Sequence, residues 1–429
     1  MSIRSWTGLP PAVSSHAVPL HWTGENPFDG IAGTLLARGC GRSYGDVCLP
    51  CETALVCTPC DRIRWFDRER GIVRTEAGAT LGDILRTTIP AGWTLPVLPG
   101  TEHVTVGGAI ANDIHGKSHH WAGTFGRWVE RFELIRSDGR YLCTPNDNAE
   151  LFAATIGGLG LTGIVAWAEL RLVPARSAWM ATQNIPFSSL DEFFEIGSRL
   201  ERSAEYVVGW CDLSEPGSIR GILHASSFCE GDRRTRTPSP RFDRAPSLPF
   251  SMWSRPLIRL ANAARHWSRS QRPTAREHYT QVFFPLDRIP WNRLFGRRGF
   301  YQLQAVVPAR IEREGIAEIC RRLWHARIPL PLCVLKRFGS IASPGWLSFP
   351  IAGTSIAVDV PNTSRARAAL GTIIADVARI GGRVYPAKDA LMTAEQFQRM
   401  YPDWQRLDRV RDLRCCSQFW KRVTQRTSQ

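Results

Sequence analysis

Lysine is nearly absent from this chain: of 54 basic residues only four are lysine, Lys117, Lys336, Lys388 and Lys421. Arginine serves almost everywhere a plain positive charge would do, so each lysine calls for its own reason. A compact ammonium whose pKa falls readily on burial is such a reason. Long apolar runs are missing as well. Residues Met1–Pro10 carry no apolar segment, and the most apolar later stretch, Gly157–Val173, is interrupted by Glu169 and Arg171. The expectation is neither a signal peptide nor a spanning helix. Twelve cysteines in 429 residues are too sparse for a disulfide scaffold, which leaves reduced thiols and a cytoplasmic setting as the expectation. Acidic residues are outnumbered, 39 against 54, for a net charge of +15. That balance favours an anionic partner: nucleic acid, a phosphorylated substrate or a membrane surface.

What is present is ordinary globular composition, 43% hydrophobic and 22% charged, in a length that suits two or three domains. No internal repeat is visible. Up to about residue 175, short strands alternate with glycine turns and helices: Gly33–Arg38, Thr53–Cys57 and Ile72–Glu76 as strands, a helix opened by Thr80 with Asp83 as capping partner, a hairpin over Arg131–Cys143, a helix at Ala149–Thr155 and a strand at Ile164–Val173. From residue 179 longer alternating runs take over, Tyr206–Asp212, Ile219–Ser226, Tyr301–Val307, Leu332–Phe338 and Trp346–Val360, with helices near 190–201, 310–326 and 365–379. An antiparallel sheet covered by helices accounts for them. The fold class expected is α+β in two domains, 1–178 and 179–381, with 382–429 returning to the first. Residues 230–276 read as a mobile basic insertion, since 232–276 hold eleven arginines against two aspartates.

Glycine marks three loops. Arg38-Gly39-Cys40-Gly41-Arg42-Ser43-Tyr44-Gly45-Asp46 follows a strand, and the exposed N–H groups of such a turn can cradle a pyrophosphate. A plain tight turn beside a basic surface is the alternative. Gly158-Leu-Gly-Leu-Thr-Gly163 has the GxGxxG spacing of dinucleotide sites, but a helix precedes it and a strand follows. That is the reverse of the Rossmann context, so a nicotinamide site of that type is excluded. Between them runs Pro99–His120, with Gly107-Gly108 and DIHGKSHH at 113–120.

Those three segments in that order resemble the FAD-binding domain of the vanillyl-alcohol oxidase superfamily. Within it the chain is most similar to the decaprenylphosphoryl-β-D-ribose 2′-oxidases, the flavin subunits of a two-enzyme epimerase. The likeness runs from about residue 30 to Arg422 and is carried by GRSYGD at 41–46, DIHGKSHH, ELFAATIGGLGLTGI at 150–164, VLKRFG at 334–339, LSFPI at 347–351, and YPAKD at 385–389 followed by TAEQFQRMYP. Three of the four lysines fall inside these motifs.

The resemblance implies a PCMH-type FAD-binding fold with the cofactor held by Arg38, Gly39, Cys40, Gly41, Arg42, Ser43, Tyr44 and Gly45, by Gly100, Thr101, Thr105, Gly107, Gly108, Asn112 and Ile114, and by Gly163, Ile164, Val165 and Tyr385. Some relatives attach FAD through a loop histidine; Arg38–Asp46 contains none, which implies noncovalent FAD. The implied catalytic residues are Lys388, His115 and Lys336. Lys117, Tyr44, Trp210, Gln302, Gln304, Phe338 and Ser355 would bind substrate. The implied reaction oxidises the 2′-hydroxyl of a polyprenyl-phosphoryl ribose. A separate NAD(P)H-dependent short-chain reductase would then return the ketone to the arabinose epimer. Lys388 would organise the alcohol and the charge on reduced flavin; the proton acceptor stays open.

Two departures stand out. Ser355-Ile356-Ala357 replaces the family's Asn-Ile-Cys, removing the thiol that nitro-aromatic inhibitors trap, and Phe283-Phe284 replaces Tyr-His ahead of Pro-Leu-Asp. The pairs Cys48/Cys51 and Cys57/Cys60 are separated by only five residues, against roughly 15–20 between the pairs of a zinc site, so no metal is expected. His119 and His120 read as loop residues near the substrate. Phe250–Leu260 and Arg265-His266-Trp267 interleave apolar side chains with arginine, as suits an interface helix or lid touching an anionic membrane surface at the inner face of the plasma membrane. No nucleic-acid motif accompanies them, and no nucleic-acid partner is expected. The competing readings are an alditol or sugar oxidase of the same fold and a noncatalytic binding protein.

Overall fold

The computed structural model describes residues 2–234 and 246–424. In the amino-terminal part, β1 (His16–Pro19), β2 (Leu35–Arg38) and β3 (Thr53–Val56) form a parallel sheet in the order β1-β3-β2. Beside it β4 (Ile63–Asp67), β5 (Ile72–Glu76), β6 (Val129–Arg136), β7 (Gly139–Cys143) and β8 (Ile164–Arg171) pair antiparallel in the order β7-β6-β8-β5-β4. Helix α1 (Leu81–Thr88) starts at the expected capping box, where Thr80 and Asp83 bond each other's backbone N–H. Helix α2 (Val106–Ala111) is capped by Thr105, and α3 (Ala149–Thr155) leads into the Gly157–Gly163 loop and then β8.

The largest sheet has eight antiparallel strands in the order β12-β9-β11-β10-β14-β15-β13-β16: β9 (Trp179–Phe187), β10 (Tyr206–Asp212), β11 (Arg220–Phe228), β12 (Thr274–His278), β13 (Phe300–Pro308), β14 (Leu332–Phe338), β15 (Gly353–Pro361) and β16 (Arg383–Val384). Side chains alternate between its faces with period two. One set, including Val207, Leu335, Ile356, Val358, Leu303 and Ala305, packs under α4 (Leu190–Leu200), α6 (Glu312–His325) and α7 (Ser364–Arg379) as the largest apolar core. The alternate set is polar for so central a sheet: His224, Trp210, Lys336, Gln302 and Gln304 among them. A face of this kind is built to meet a ligand. The chain is thus α+β, as the sequence leads one to expect. After β16 the short helices α8 (Ala394–Met400), α9 (Trp404–Val410) and α10 (Gln418–Thr424) return to the first sheets, where Cys415 bridges Leu35 and Ser417 bridges Pro50.

Three expectations are corrected. The run Trp346–Val360 is a strand only from Gly353; Pro344, Pro350 and a left-handed Gly353 keep the preceding residues out of the ladder. Those residues instead cross to the first domain. The described part of 230–276 does not merely interrupt the sheet. It contains α5 (Arg255–Ser270) and β12, and β12 closes the sheet edge on β9. Helix α5 lies on β9 and β11 by a narrow stripe in which Ile258 is buried and Asn262 donates to Asp212 at 2.8 Å. Residues 235–245 of that segment lie outside the described residues. His119 opens a helical turn, His119–Ala122, and is buried against Phe338 with ring centroids 4.5 Å apart.

Candidate active site

A single cavity of about 630 Å³ runs between the glycine loops and the polar face of the eight-stranded sheet, within the usual size for a cofactor or ligand site. Its first half is lined mainly by backbone. The loop Arg38–Tyr44 leaves β2, and Gly39 packs so tightly on Thr105 that a Cβ would stand 2.2 Å from its Oγ1. Gly100, Thr101, Thr105, Gly107, Gly108, Asn112, Ile114, Gly163, Val165 and Tyr385 complete this half. The Asn112 Oδ1 atom is buried there without a protein partner, while the Asn112 carbonyl accepts from the Tyr385 hydroxyl at 2.9 Å.

Two expected cofactor residues do not reach the cavity. Gly45 is pressed beneath the Asp389 carbonyl, where an added Cβ would sit 1.5 Å from the oxygen. Its glycine serves the approach of two loops. Ile164 points the other way from Val165 and packs with Leu35 and Leu55.

The second half carries the titratable groups. Asp113, held at φ 38°, accepts from Gly126 N–H at 2.8 Å and from the hydroxyls of Ser343 and Ser348. This ties DIHGKSHH to the crossing segment that contains LSFPI, and it fixes His115 two residues on. His115 is buried among Phe338, Phe349 and Tyr385, with ring centroids 5.0–5.3 Å away. Burial, then the charge of Lys336, keeps its imidazole well below the usual range, hence neutral. Gln304 Nε2 donates to its Nε2 at 2.7 Å, leaving Nδ1 buried and unpartnered.

Lys388 follows a short turn, Pro386–Lys388, and its Nζ lies 3.2 Å from the Tyr44 ring centroid. Burial pulls the Lys388 ammonium below its ordinary range, against the attraction of Asp359. Asp359 is itself buried and pushed upward, and it accepts from Gln302 and from Trp291 Nε1 at 2.7 Å. Burial brings Lys336 down to about 8 and Lys117 to about 7. Three of the chain's four lysines therefore meet in one cavity as weakened ammoniums.

Trp210, Gln302 and Gln304 line this half. Phe338 and Ser355 do not: Phe338 packs behind His115, and Ser355 sits beneath Gln304, 3.4 Å from its Nε2. Ala357, on the same strand face, reaches the cavity instead. Phe283 lines the wall, whereas Phe284 is packed inside. The sequence reading missed Asp359, His224, Arg265 and Arg269. Period-two counting from Trp210 and Gln302 reaches β11 and β15 only once the register is known; the helical spacing of Ile258, Asn262, Arg265 and Arg269 was the visible signal for α5.

The cysteines at 48, 51, 57 and 60 carry free thiols, and Cys60 Sγ bonds the Leu20 carbonyl at 3.1 Å. Among the described residues, the group with metal-ligand spacing is Glu102, His103 and Asp287. Glu102 is engaged by Arg86 at 2.6 Å, and Asp287 accepts from the Glu102 N–H at 2.8 Å.

Residues 32–144 match the family model described as an FAD binding domain. Over 404 residues the chain is 35% identical to the decaprenylphosphoryl-beta-D-ribose oxidase of Mycolicibacterium smegmatis, covering 88% of this chain and 86% of that one. The chain belongs to the decaprenylphosphoryl-β-D-ribose oxidase family. It is 32% identical over 353 residues to an uncharacterised Streptomyces coelicolor protein from the mprA 5′ region, covering 78% of this chain and 95% of that one. The human Delta(24)-sterol reductase shares 38% identity over 111 residues, 26% of this chain and 22% of its own.

The family member described here is an FAD-dependent oxidoreductase. Its cavity fits the cofactor: a glycine-rich half that tight packing keeps open, an orphaned Asn112 oxygen, and lysines on the facing wall that could answer the negative charge of a reduced flavin.

The weakened lysines carry a pH dependence. Unfolded, each would titrate near the ordinary 10.5. Between about pH 7 and 10 the unfolded chain therefore holds protons that the folded chain has released, and stability rises with pH over that window. The thermal midpoint of the apoprotein is expected to climb from pH 6.5 to 8.5, and Lys117→Met should flatten the climb. An equal slope in the variant would contradict a depressed Lys117.

Proposed function

We propose that this enzyme oxidises the 2′-hydroxyl of a polyprenyl-phosphoryl-β-D-ribose to the 2′-keto sugar, the first half of an epimerisation to the arabinose form. The observation that carries the reading is the convergence of Lys388, Lys336 and Lys117 on one cavity with Gln302, Gln304 and neutral His115. FAD, when bound, supplies the hydride acceptor, and with no histidine in Arg38–Asp46 we assign it noncovalent attachment.

The chain's own groups divide the remaining work. Arg38–Tyr44 and Gly100–Gly108 hold the cofactor through backbone N–H groups. The Nζ atoms of Lys388 and Lys336, both brought toward neutrality by burial, are the groups able to hold or accept the alcohol proton. His115, braced by Gln304, offers its unpartnered Nδ1 to the sugar. Asp359 keeps Lys388 in place. The domain limits 1–178, 179–381 and 382–429 belong to the same reading, as does a separate NAD(P)H-dependent short-chain reductase that takes up the ketone.

The outer surface near the cavity suits a lipid-linked substrate. Phe250, Leu260 and Trp267 are 74, 71 and 68% exposed beside the exposed Arg255 and Arg259, a pattern favouring an anionic membrane surface. No helix among the described residues is long and apolar enough to cross a membrane.

Product analysis tests the site of oxidation. Holoenzyme is incubated with polyprenyl-phosphoryl ribose and an electron acceptor, and the mixture is quenched with borodeuteride. Deuterium is expected at carbon 2 of the pentose, in ribose and arabinose together. Label at another carbon would overturn the assignment.

A further inference from the structure

The wall beneath α5 carries more positive charge than the oxidation chemistry uses. Four cations line this part of the cavity, Lys336, Lys117, Arg265 and Arg269, and one carboxylate, Glu277. Glu277 is taken by Arg269 at 3.1 Å. Arg265 lies over Trp210, its Cζ 4.6 Å from the ring centroid, and Trp210 is only 2% exposed. Lys117 donates to the Val282 carbonyl, and the Glu277 carboxylate that attracts it is already paired with Arg269. The Lys117 charge is disfavoured first by burial and then by Lys336 and Arg265, and that of Arg265 by burial and then by Arg269. His224, bonded to Asn184 Oδ1 at 2.6 Å, is held down to about 3 by burial and then by Arg265, Arg269 and Lys117. Like charges in a low-dielectric cleft repel at a cost that an entering anion would relieve.

We propose that Lys117 and Arg265, backed by Trp210, form the subsite for the phosphodiester of the substrate, with the prenyl chain leaving past the outer face of α5. The assignment rests on the lipid-linked-sugar reading above. The electrostatic neighbours run Lys388, Lys336, Lys117, Arg265, so the sugar lies at the Lys388 end and the phosphate at the other. A guanidinium fork and an ammonium together satisfy the nonbridging phosphate oxygens. The exposed Leu257, Leu260 and Trp267 of the same helix continue the path into an apolar surface. This arrangement makes Arg265, within the arginine-rich segment, a specificity residue.

Binding to the holoenzyme, read by perturbation of the flavin absorbance, tests the subsite without turnover. Farnesyl phosphate, farnesol and inorganic phosphate are the probes. Farnesyl phosphate is expected to bind more tightly than either other probe. Arg265→Gln should weaken farnesyl phosphate roughly 10-fold or more, as expected for loss of a charge-assisted bond, and leave farnesol unchanged; Arg265→Lys should restore part of the affinity. Equal losses for farnesol and farnesyl phosphate, no loss at all, or inorganic phosphate binding as tightly as farnesyl phosphate would each overturn the proposal. Failure of the substrate reading looks different: farnesyl phosphate would still bind through Arg265 while the lipid-linked ribose went unoxidised.

Discussion

Lys388→Ala is expected to retain FAD and lose turnover by roughly 10²–10³-fold, the scale of deleting one preorganised charge-stabilising group. The side chain contributes no fold-spanning packing: it ends a short turn, and its Nζ rests on the Tyr44 ring. What it contributes is an amine, weakened by burial and attracted by Asp359, that can hold or take up the alcohol proton. With the lysine gone, Asp359 remains buried with Gln302 and Trp291 as its donors. The flavin spectrum and cofactor stoichiometry of the variant should match wild type while single-turnover oxidation collapses. Full activity with a normal spectrum would remove Lys388 from the chemistry.

Arg422→Met should have the largest effect on stability. Arg422, from α10, reaches Asp46 Oδ1 at 2.7 Å at the end of the Arg38–Asp46 loop and Asp389 Oδ2 at 2.9 Å beside Lys388, and both carboxylate side chains are almost fully buried. Removing the cation leaves two buried charges facing each other. The guanidinium is about a quarter exposed, which places the loss at the lower end for a broken buried pair, about 3 kcal/mol. Asp389 also caps the backbone of Leu391 and Met392, and its carbonyl presses on Gly45. The same variant should therefore release FAD more readily. Denaturant unfolding and flavin release on dilution measure both, and a wild-type midpoint would show that the clamp carries no weight.

Much of this site is legible in the sequence because glycine and lysine are informative here. A loop that must approach a pyrophosphate needs glycine, and a chain that spends arginine on its surface charge makes its few lysines conspicuous. Position on a strand is less legible. Ser355 and Ala357 share a face, yet only Ala357 reaches the cavity, because Gln304 covers Ser355. Gly45 lies in the right motif for the wrong reason, as a contact between loops. Helix α5 is legible as an interface helix, but not its seat on the sheet, because the stripe it buries is polar, with Asn262 bonded to Asp212 where an apolar residue would mark the contact. Strand β12 escaped because its alternation involves Thr, Arg and Glu at an edge.

The claim on which the rest depends is that one cavity brings a lipid-linked ribose against the flavin. Anaerobic titration of the holoenzyme with polyprenyl-phosphoryl ribose measures it directly. The oxidised-flavin absorbance is expected to fall in proportion to added lipid until one equivalent is consumed, with free alditols leaving it unchanged. Bleaching by the alditols and not by the lipid would contradict the account.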